Sequence, residues 1–214
     1  MNFIKRSITL ITQPRQAWAQ INTEEEGLGH CMAAFVLPLA LAGALASFVG
    51  YGLIGVDTGI LNIHIREFNW GFYAGIKHFI CCIACTLLTA DACNRMAVFF
   101  ESGKNMDQSG RLIAYSFTPG FIGGLFNILP MFGFISMISW LYGFYLLYLG
   151  LPVIKKTPLH RQAAYFLSCC IAASIIYAVV NLVSGFILGN VFDIDITGRY
   201  GRFGVRSEDR RVGK

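Results

Sequence analysis

The sequence predicts an all-α integral membrane protein, a bundle of five transmembrane helices with an N-terminal amphipathic helix at the membrane interface. Of its 214 residues, 55% are hydrophobic and only 14% are charged, whereas soluble domains carry about 25% charged residues. No charged residue lies between Cys31 and Val56, between Leu112 and Ile154, or between Gln162 and Phe192. Uncharged stretches of this length indicate segments that lie in lipid.

Residues 1–29 are predicted to form a cytoplasmic amphipathic segment. The spacing in NFIKRSITLI separates apolar from polar side chains on two helical faces: Phe3, Ile4, Ile8 and Ile11 against Lys5, Arg6 and Thr9. Such a helix can lie in the membrane surface near anionic headgroups. It can equally pack on the cytoplasmic ends of the bundle. Pro14 can open a second short helix that carries Trp18 and Ile21.

Residues 30–190 contain five stretches that are long and apolar enough to cross a bilayer. An α-helix needs roughly 17 to 25 residues to cross a hydrocarbon core about 30 Å thick. Helices are the expected form because lipid offers the backbone no hydrogen-bond partner. The predicted spans are about 31–54, 70–92, 112–128, 131–153 and 162–188, and residues 191–214 form a basic polar tail.

Lysine and arginine in the loops favour a cytoplasmic N-terminus. Nine of them fall on the side that this orientation places inside the cell, against Arg66 and Lys77 on the other side: Lys5, Arg6, Arg15, Arg95, Lys104, Arg111, Lys155, Lys156 and Arg161. The tail has further arginines and would lie outside. Most of these are well beyond the last span, where charge affects orientation less.

The third span contains residues that interrupt helices. Pro119 predicts a kink because it removes the backbone bond to the Tyr115 carbonyl. Gly123 and Gly124 allow a close helix contact. Pro130 suits the first turn of the fourth span, so the segment is interpreted as a kinked hairpin of two spans. A half-helix binding site at Tyr115 and Pro119 is the alternative.

Polar residues within the spans define a candidate site. Asp91 and Arg95 have the i, i+4 spacing of a helical ion pair, and ionisable residues at membrane depth indicate function. A candidate polar cavity comprises Asp91, Arg95, Asn127, Ser136, Ser139, Tyr142 and Asn181. The alternative is a network of interhelical hydrogen bonds.

The sequence predicts no enzyme, metal site or cofactor. Cys81, Cys82 and Cys85 share part of one helical turn and His78 is near, but a metal site needs three or four converging ligands. No P-loop, HExxH, nucleophile elbow or dinucleotide fingerprint occurs. Nucleic-acid binding also has no motif.

One long stretch resembles a known family. Residues 105–158, which include AYSFTP and LYLGLP, are similar to the Yip-domain (Ypt-interacting-protein-like) family, specifically its short bacterial inner-membrane branch. QPRQAW, VLPLALAGALASFVG and the AD of TADAC resemble the same branch. The family pattern falls on Pro14, Trp18, Asp91, Tyr115, Pro119, Pro130, Tyr142, Tyr148, Gly150 and Pro152. The sequence departs from it at ESGKN, which replaces a Gly-Gly pair, and in the basic tail.

The resemblance implies five transmembrane helices, a cytoplasmic N-terminus and the bacterial inner membrane, with a periplasmic C-terminus. None of the family positions is established as catalytic. Eukaryotic relatives act in vesicle traffic and contact small GTPases of the Rab type, a pathway that bacteria lack, so fold transfers more safely than function. We therefore expect a protein that organises or shapes membrane or scaffolds other membrane proteins. Its partners would be lipids, other membrane proteins or a second copy of itself. The alternative is a transporter or channel for a small molecule, ion or lipid.

Overall fold

Helices make up nearly all the regular structure in the computed structural model, which describes residues 3–24, 26–58, 63–65, 68–129 and 132–192. Four helices within these ranges are long and apolar enough to cross a membrane: Leu28–Ile54, Phe68–Phe100, Phe134–Ile154 and Leu159–Val191. The predicted all-α membrane fold is confirmed. Pro130 and the tail beyond residue 192 lie outside the described residues.

The elements follow one another with short connections. Two helices, α1 (Phe3–Thr12) and α2 (Pro14–Thr23), precede the first span, which comprises α3 (Leu28–Cys31), a π-helical turn (Met32–Val36), α4 (Leu37–Phe48) and a second π-helical turn (Val49–Ile54). Two short antiparallel strands, β1 (Val56–Thr58) and β2 (Ile63–Ile65), then form a small ladder. The remaining elements are α5 (Phe68–Met96) with a 3-10 turn (Ala97–Phe100), α6 (Met106–Ser116), α7 (Thr118–Gly123) with a 3-10 turn (Gly124–Ile128), α8 (Gly133–Ile154) and α9 (Leu159–Val191).

Glycine lets the first span pack closely on α5. A Cβ added to Gly52 would lie 3.0 Å from the Cα of Gly71, and one added to Gly75 would lie 2.9 Å from the Ala44 carbonyl oxygen. These contacts are backbone against backbone, and side chains at those positions would force the helices apart. Small residues commonly mediate helix association in membranes for this reason.

The predicted third span is broken rather than kinked. Helix α6 ends at Ser116, and α7 begins at Thr118 with Pro119 in its first turn. The Thr118 hydroxyl donates to the Ala114 carbonyl at 3.3 Å, so a side chain supplies a bond at the break. Gly143 of α8 lies opposite, where a Cβ would come 2.8 Å from the Ser116 carbonyl oxygen. A proline that cannot continue the hydrogen-bond ladder thus separates two short helices.

This broken segment runs beside the first span in the same direction. At one end the Leu28 amide donates to Asp107 Oδ1 at 2.8 Å. At the other end Asn127 Nδ2 donates to Ser47 Oγ at 3.1 Å. Between these contacts a helical first span rises about 30 Å at 1.5 Å per residue, close to the thickness of a bilayer core.

Candidate functional site

The N-terminal helices are held to the bundle by charged and aromatic side chains that we call the N-terminal clamp: Arg6, Glu24, Glu26, Arg111 and Tyr115. Arg6 pairs with Glu24 and donates to Glu26 Oε2 at 2.9 Å. The Tyr115 hydroxyl donates to the same Glu26 oxygen at 2.8 Å. A guanidinium with two carboxylates and a phenol is well compensated for its loss of water.

Arg111 joins the clamp to the backbone at the end of α2. Its guanidinium donates to the Ile21 carbonyl at 3.3 Å and to the Glu24 carbonyl. These acceptors include carbonyls at the C-terminal end of α2, where a positive charge is favourable. Trp18 packs nearby and is fully buried, and a Cβ added to Gly150 of α8 would lie 2.8 Å from its indole ring.

The clamp shifts the pKa values of its own charged groups. Burial alone would raise the pKa of Glu26, but the hydrogen bonds from Arg6 and Tyr115 lower it overall. Burial alone would lower the pKa of Arg6, but the hydrogen bond to Glu26 and the surrounding negative charge raise it overall. Both shifts favour the charged forms, so the pair stays ionised in the folded protein.

Helix α1 docks through a side that contains both polar and apolar residues and leaves two isoleucines outside. Arg6, Ser7 and Leu10 are buried, whereas Ile8 and Ile11 are 55% and 41% exposed. The sequence placed Arg6 with Lys5 and Thr9 on the face away from the apolar residues, and the structure turns Arg6 into the bundle because two carboxylates lie there. The two alternatives for this helix are therefore compatible: one side packs on the bundle while the isoleucines remain available to lipid.

Helix α1 lies near the start of the first span. Arg6 contacts Tyr115, whose ring packs on Phe35 with centroids 4.8 Å apart. Phe35 lies about two turns from the start of the first span, which corresponds to about 10 Å.

A second polar feature lies at the other end of the bundle, in a cavity of about 370 Å³ that we call the membrane cavity. Residues of the first span, α5, the second 3-10 turn, α8 and α9 line it. Asn127, Ser136 and Asn181 from the predicted polar set are among them. The structure thus brings three of the seven predicted residues together.

The other four predicted residues lie elsewhere. Asp91 and Arg95 form the predicted ion pair at 2.7 Å, but they lie near the opposite end of α5, where Arg95 is exposed and Asp91 is partly buried. Ser139 Oγ donates to the Ile135 carbonyl at 2.8 Å and packs against Gly123. The Tyr142 hydroxyl donates to the Ile11 carbonyl at 2.8 Å. The membrane cavity therefore contains only part of the set predicted from sequence. Asp91 and Arg95 lie near the far end of α5, and Ser139 and Tyr142 face other elements.

The membrane cavity also contains Lys77 and His78, which sequence reasoning missed as site residues. Lys77 Nζ lies 3.4 Å from the Tyr73 hydroxyl. The His78 ring is held between two glycines, since a Cβ added to Gly43 would lie 2.5 Å from its Nε2 and one added to Gly124 would lie 2.8 Å from its Cε1. Two ionisable residues within the predicted span 70–92 were the available signal.

A third cation is buried at the clamp end. Lys155 is fully buried after α8, and its Nζ donates to Ser109 Oγ at 2.7 Å and to the Asn105 carbonyl at 3.2 Å. Burial lowers its pKa. These bonds join the α8–α9 loop to the start of α6, which indicates a structural role for Lys155.

The family-pattern residues lie mainly toward the clamp end. Trp18 packs on Gly150, Pro14 opens α2, and Pro152 lies inside the last turns of α8. The Tyr148 carbonyl accepts a bond from Gln162 at 2.9 Å. Within the described residues no group of three or more His, Cys, Asp or Glu side chains could hold a metal ion.

The comparisons with known proteins give one match, to a family model. No curated protein and no solved structure matches the chain. The model of the Yip1 domain matches residues 8–182, which include most of the clamp and the membrane cavity. The resemblance inferred from AYSFTP and LYLGLP is confirmed, and the chain belongs to the Yip1 domain family.

Proposed function

We propose that this multi-pass protein is not an enzyme and that it organises or shapes the membrane, or scaffolds other membrane proteins. The observation that carries the proposal is the docked α1, with Arg6 fixed in the clamp and Ile8 and Ile11 exposed on the other side. A helix whose apolar face enters one leaflet adds area to that leaflet alone. Because the clamp fixes the helix, its insertion is coupled to the whole bundle.

The test is reconstitution into liposomes that contain anionic lipid. The double variant Ile8→Asp, Ile11→Asp is compared with Gln16→Asp, Gln20→Asp, which adds two charges at exposed positions of α2. We expect wild type and the α2 variant to change vesicle diameter and lipid packing, and the Ile8, Ile11 variant to lose most of that effect. No effect of wild type on vesicles, together with no partner in crosslinked pull-downs from membranes, would refute the proposal.

We also propose that the protein resides in the inner membrane of a bacterium with its N-terminus in the cytoplasm and its C-terminus in the periplasm. The support is the nine loop cations on one side of the five predicted spans. The clamp end would then face the cytoplasm, and the membrane cavity would lie in the periplasmic half.

The membrane cavity favours a second candidate function, a carrier or channel for a small molecule, ion or lipid. A charged lysine beside a cavity in a membrane-spanning helix is typical of a substrate path. The test follows translocation of a fluorescent anionic lipid in proteoliposomes for wild type, Lys77→Gln and Asp91→Asn. Asp91→Asn is a control because Asp91 lies outside the cavity. Transport that Lys77→Gln leaves unchanged would remove this candidate.

A further inference from the structure

Lys77 gives the membrane cavity a positive charge, and the part of the chain that the structure describes contributes no acidic side chain to its lining. The ammonium lies on the α9 side of α5, since a Cβ added to Gly185 would be 3.5 Å from Nζ. Its hydrogen-bond partner is the neutral Tyr73 hydroxyl, and none of the described residues that line the cavity is acidic. A charge in a site of low dielectric needs a counter-ion. The cavity therefore suits an anion.

The other polar groups of the cavity can donate hydrogen bonds to that anion. The amide of Asn181 and the hydroxyls of Ser136 and Tyr177 line the cavity with Lys77. Several neutral donors around one cation are suited to an oxyanion with several acceptor atoms, such as a phosphate group. A phosphate could belong to a lipid headgroup or to a soluble molecule.

A neighbouring cavity distinguishes the two sources. It has a volume of about 450 Å³ and is lined by Phe117, Met137, Phe144 and Ala173 among others. Ser136, Trp140, Tyr177 and Cys85 line both cavities, so the two adjoin. A polar cavity that contains a lysine and borders an apolar cavity fits an amphipathic ligand. A soluble phosphate would leave the apolar cavity without a complementary group.

We propose that the membrane cavity binds an anionic phospholipid. Its phosphate-bearing headgroup contacts Lys77, and one acyl chain occupies the adjoining apolar cavity. His78 is a positioning residue, because its wedged ring sets the distance of α5 from the first span and from the second 3-10 turn. This inference goes beyond the proposed function, since binding requires neither an effect of α1 on vesicle shape nor movement of lipid.

The experiment is native mass spectrometry of the full chain in detergent. It is titrated separately with phosphatidylglycerol, phosphatidylcholine and inorganic phosphate. The variants are Lys77→Gln, Lys77→Arg and, as a matched control, Lys104→Gln at an exposed loop lysine. Thermal unfolding of each variant without lipid shows whether it is folded.

We expect wild type and Lys104→Gln to bind one phosphatidylglycerol in preference to phosphatidylcholine. Lys77→Gln should lower that affinity about tenfold, the effect of one charge-assisted hydrogen bond, and Lys77→Arg should restore most of it. Equal binding of both lipids would overturn the proposal, as would an equal loss of affinity for phosphatidylglycerol in Lys77→Gln and Lys104→Gln. Inorganic phosphate that binds wild type as tightly as phosphatidylglycerol would also overturn the assignment to a lipid. If Lys77→Gln fails to fold, loss of preference for the anionic lipid in folded Lys77→Arg would count against the site.

Discussion

Arg6 shows what one buried charge contributes to the N-terminal clamp. Replacing it with alanine removes the bonds to both glutamates and leaves Glu26 half-buried without its cation. We expect Arg6→Ala to lower the free energy of unfolding by about 1–3 kcal/mol, the usual cost of losing a hydrogen bond to a charged group. It should also expose α1 to protease. The measurements are thermal unfolding in detergent and timed proteolysis. Arg15→Ala, at an exposed position, is the control, and equal effects of both variants would contradict the clamp.

The lowered pKa of Glu26 predicts how the clamp responds to acid. Because the folded-state pKa lies below the unfolded value, the clamp's contribution is fully present above an unfolded pKa of about 4.3 and is lost as the pH falls through the folded value. We expect α1 to become protease-sensitive at that low pH in wild type. In Glu26→Gln the sensitivity should be present at neutral pH and depend less on acid. A wild-type protein whose α1 stays protected at a pH low enough to protonate Glu26 in the folded state would refute this prediction.

The packing of whole elements depends on a few glycines of the first span. A Cβ on Gly50 would overlap the Asn127 carbonyl oxygen, which is backbone and cannot move alone. We expect Gly50→Ala to lower the free energy of unfolding by about 1–3 kcal/mol, as overpacking does. Gly29→Ala is the control, because no atom lies within 4 Å of its added Cβ. Similar unfolding temperatures for the two variants would contradict the close contact.

The sequence predicted the helices better than it predicted which helices pack against one another. The apolar runs predicted long helices, and four helices of sufficient length and hydropathy occur in the described residues, because length and hydropathy are local properties. Pro119 predicted an interruption, but not that Thr118 would start a new helix opposite Gly143. The proline rule describes one missing backbone bond, whereas the separation of α6 and α7 also depends on the close approach of α8.

The residues of the membrane cavity show the same limit of prediction from sequence, at the level of side chains. Asn127, Ser136 and Asn181 were chosen because polar groups in apolar spans need partners, and they do meet. Asp91 and Tyr142 satisfied the same criterion. Asp91, however, lies near the opposite end of the bundle, and the Tyr142 hydroxyl contacts α1. Polarity identifies residues that need partners, but depth along each helix decides which of them can meet.

At the scale of the whole molecule, the first span packs antiparallel to α5, α5 packs antiparallel to α9, and the broken segment packs parallel to the first span. Gly52 of the first span lies beside Gly71 at the start of α5, and Cys93 near the end of α5 lies beside Tyr165 in the first turns of α9. The broken segment starts beside Leu28 and ends beside Ser47. If it crosses the membrane as the first span does, the chain crosses five times and its ends lie on opposite sides.

Topology can be measured with reporters at three positions of the full chain. We expect a fluorescent-protein fusion at the N-terminus to fluoresce, since that end is predicted in the cytoplasm, and an alkaline phosphatase fusion at the C-terminus to be active, since that end is predicted outside. An epitope at Ser102–Lys104 should be accessible only in inside-out vesicles. If the segment of residues 106–128 turned back instead of crossing, four helices would remain and both termini would lie on the same side. An inactive C-terminal phosphatase with a fluorescent C-terminal fusion would therefore contradict five spans, even though the clamp and cavity contacts would be unchanged.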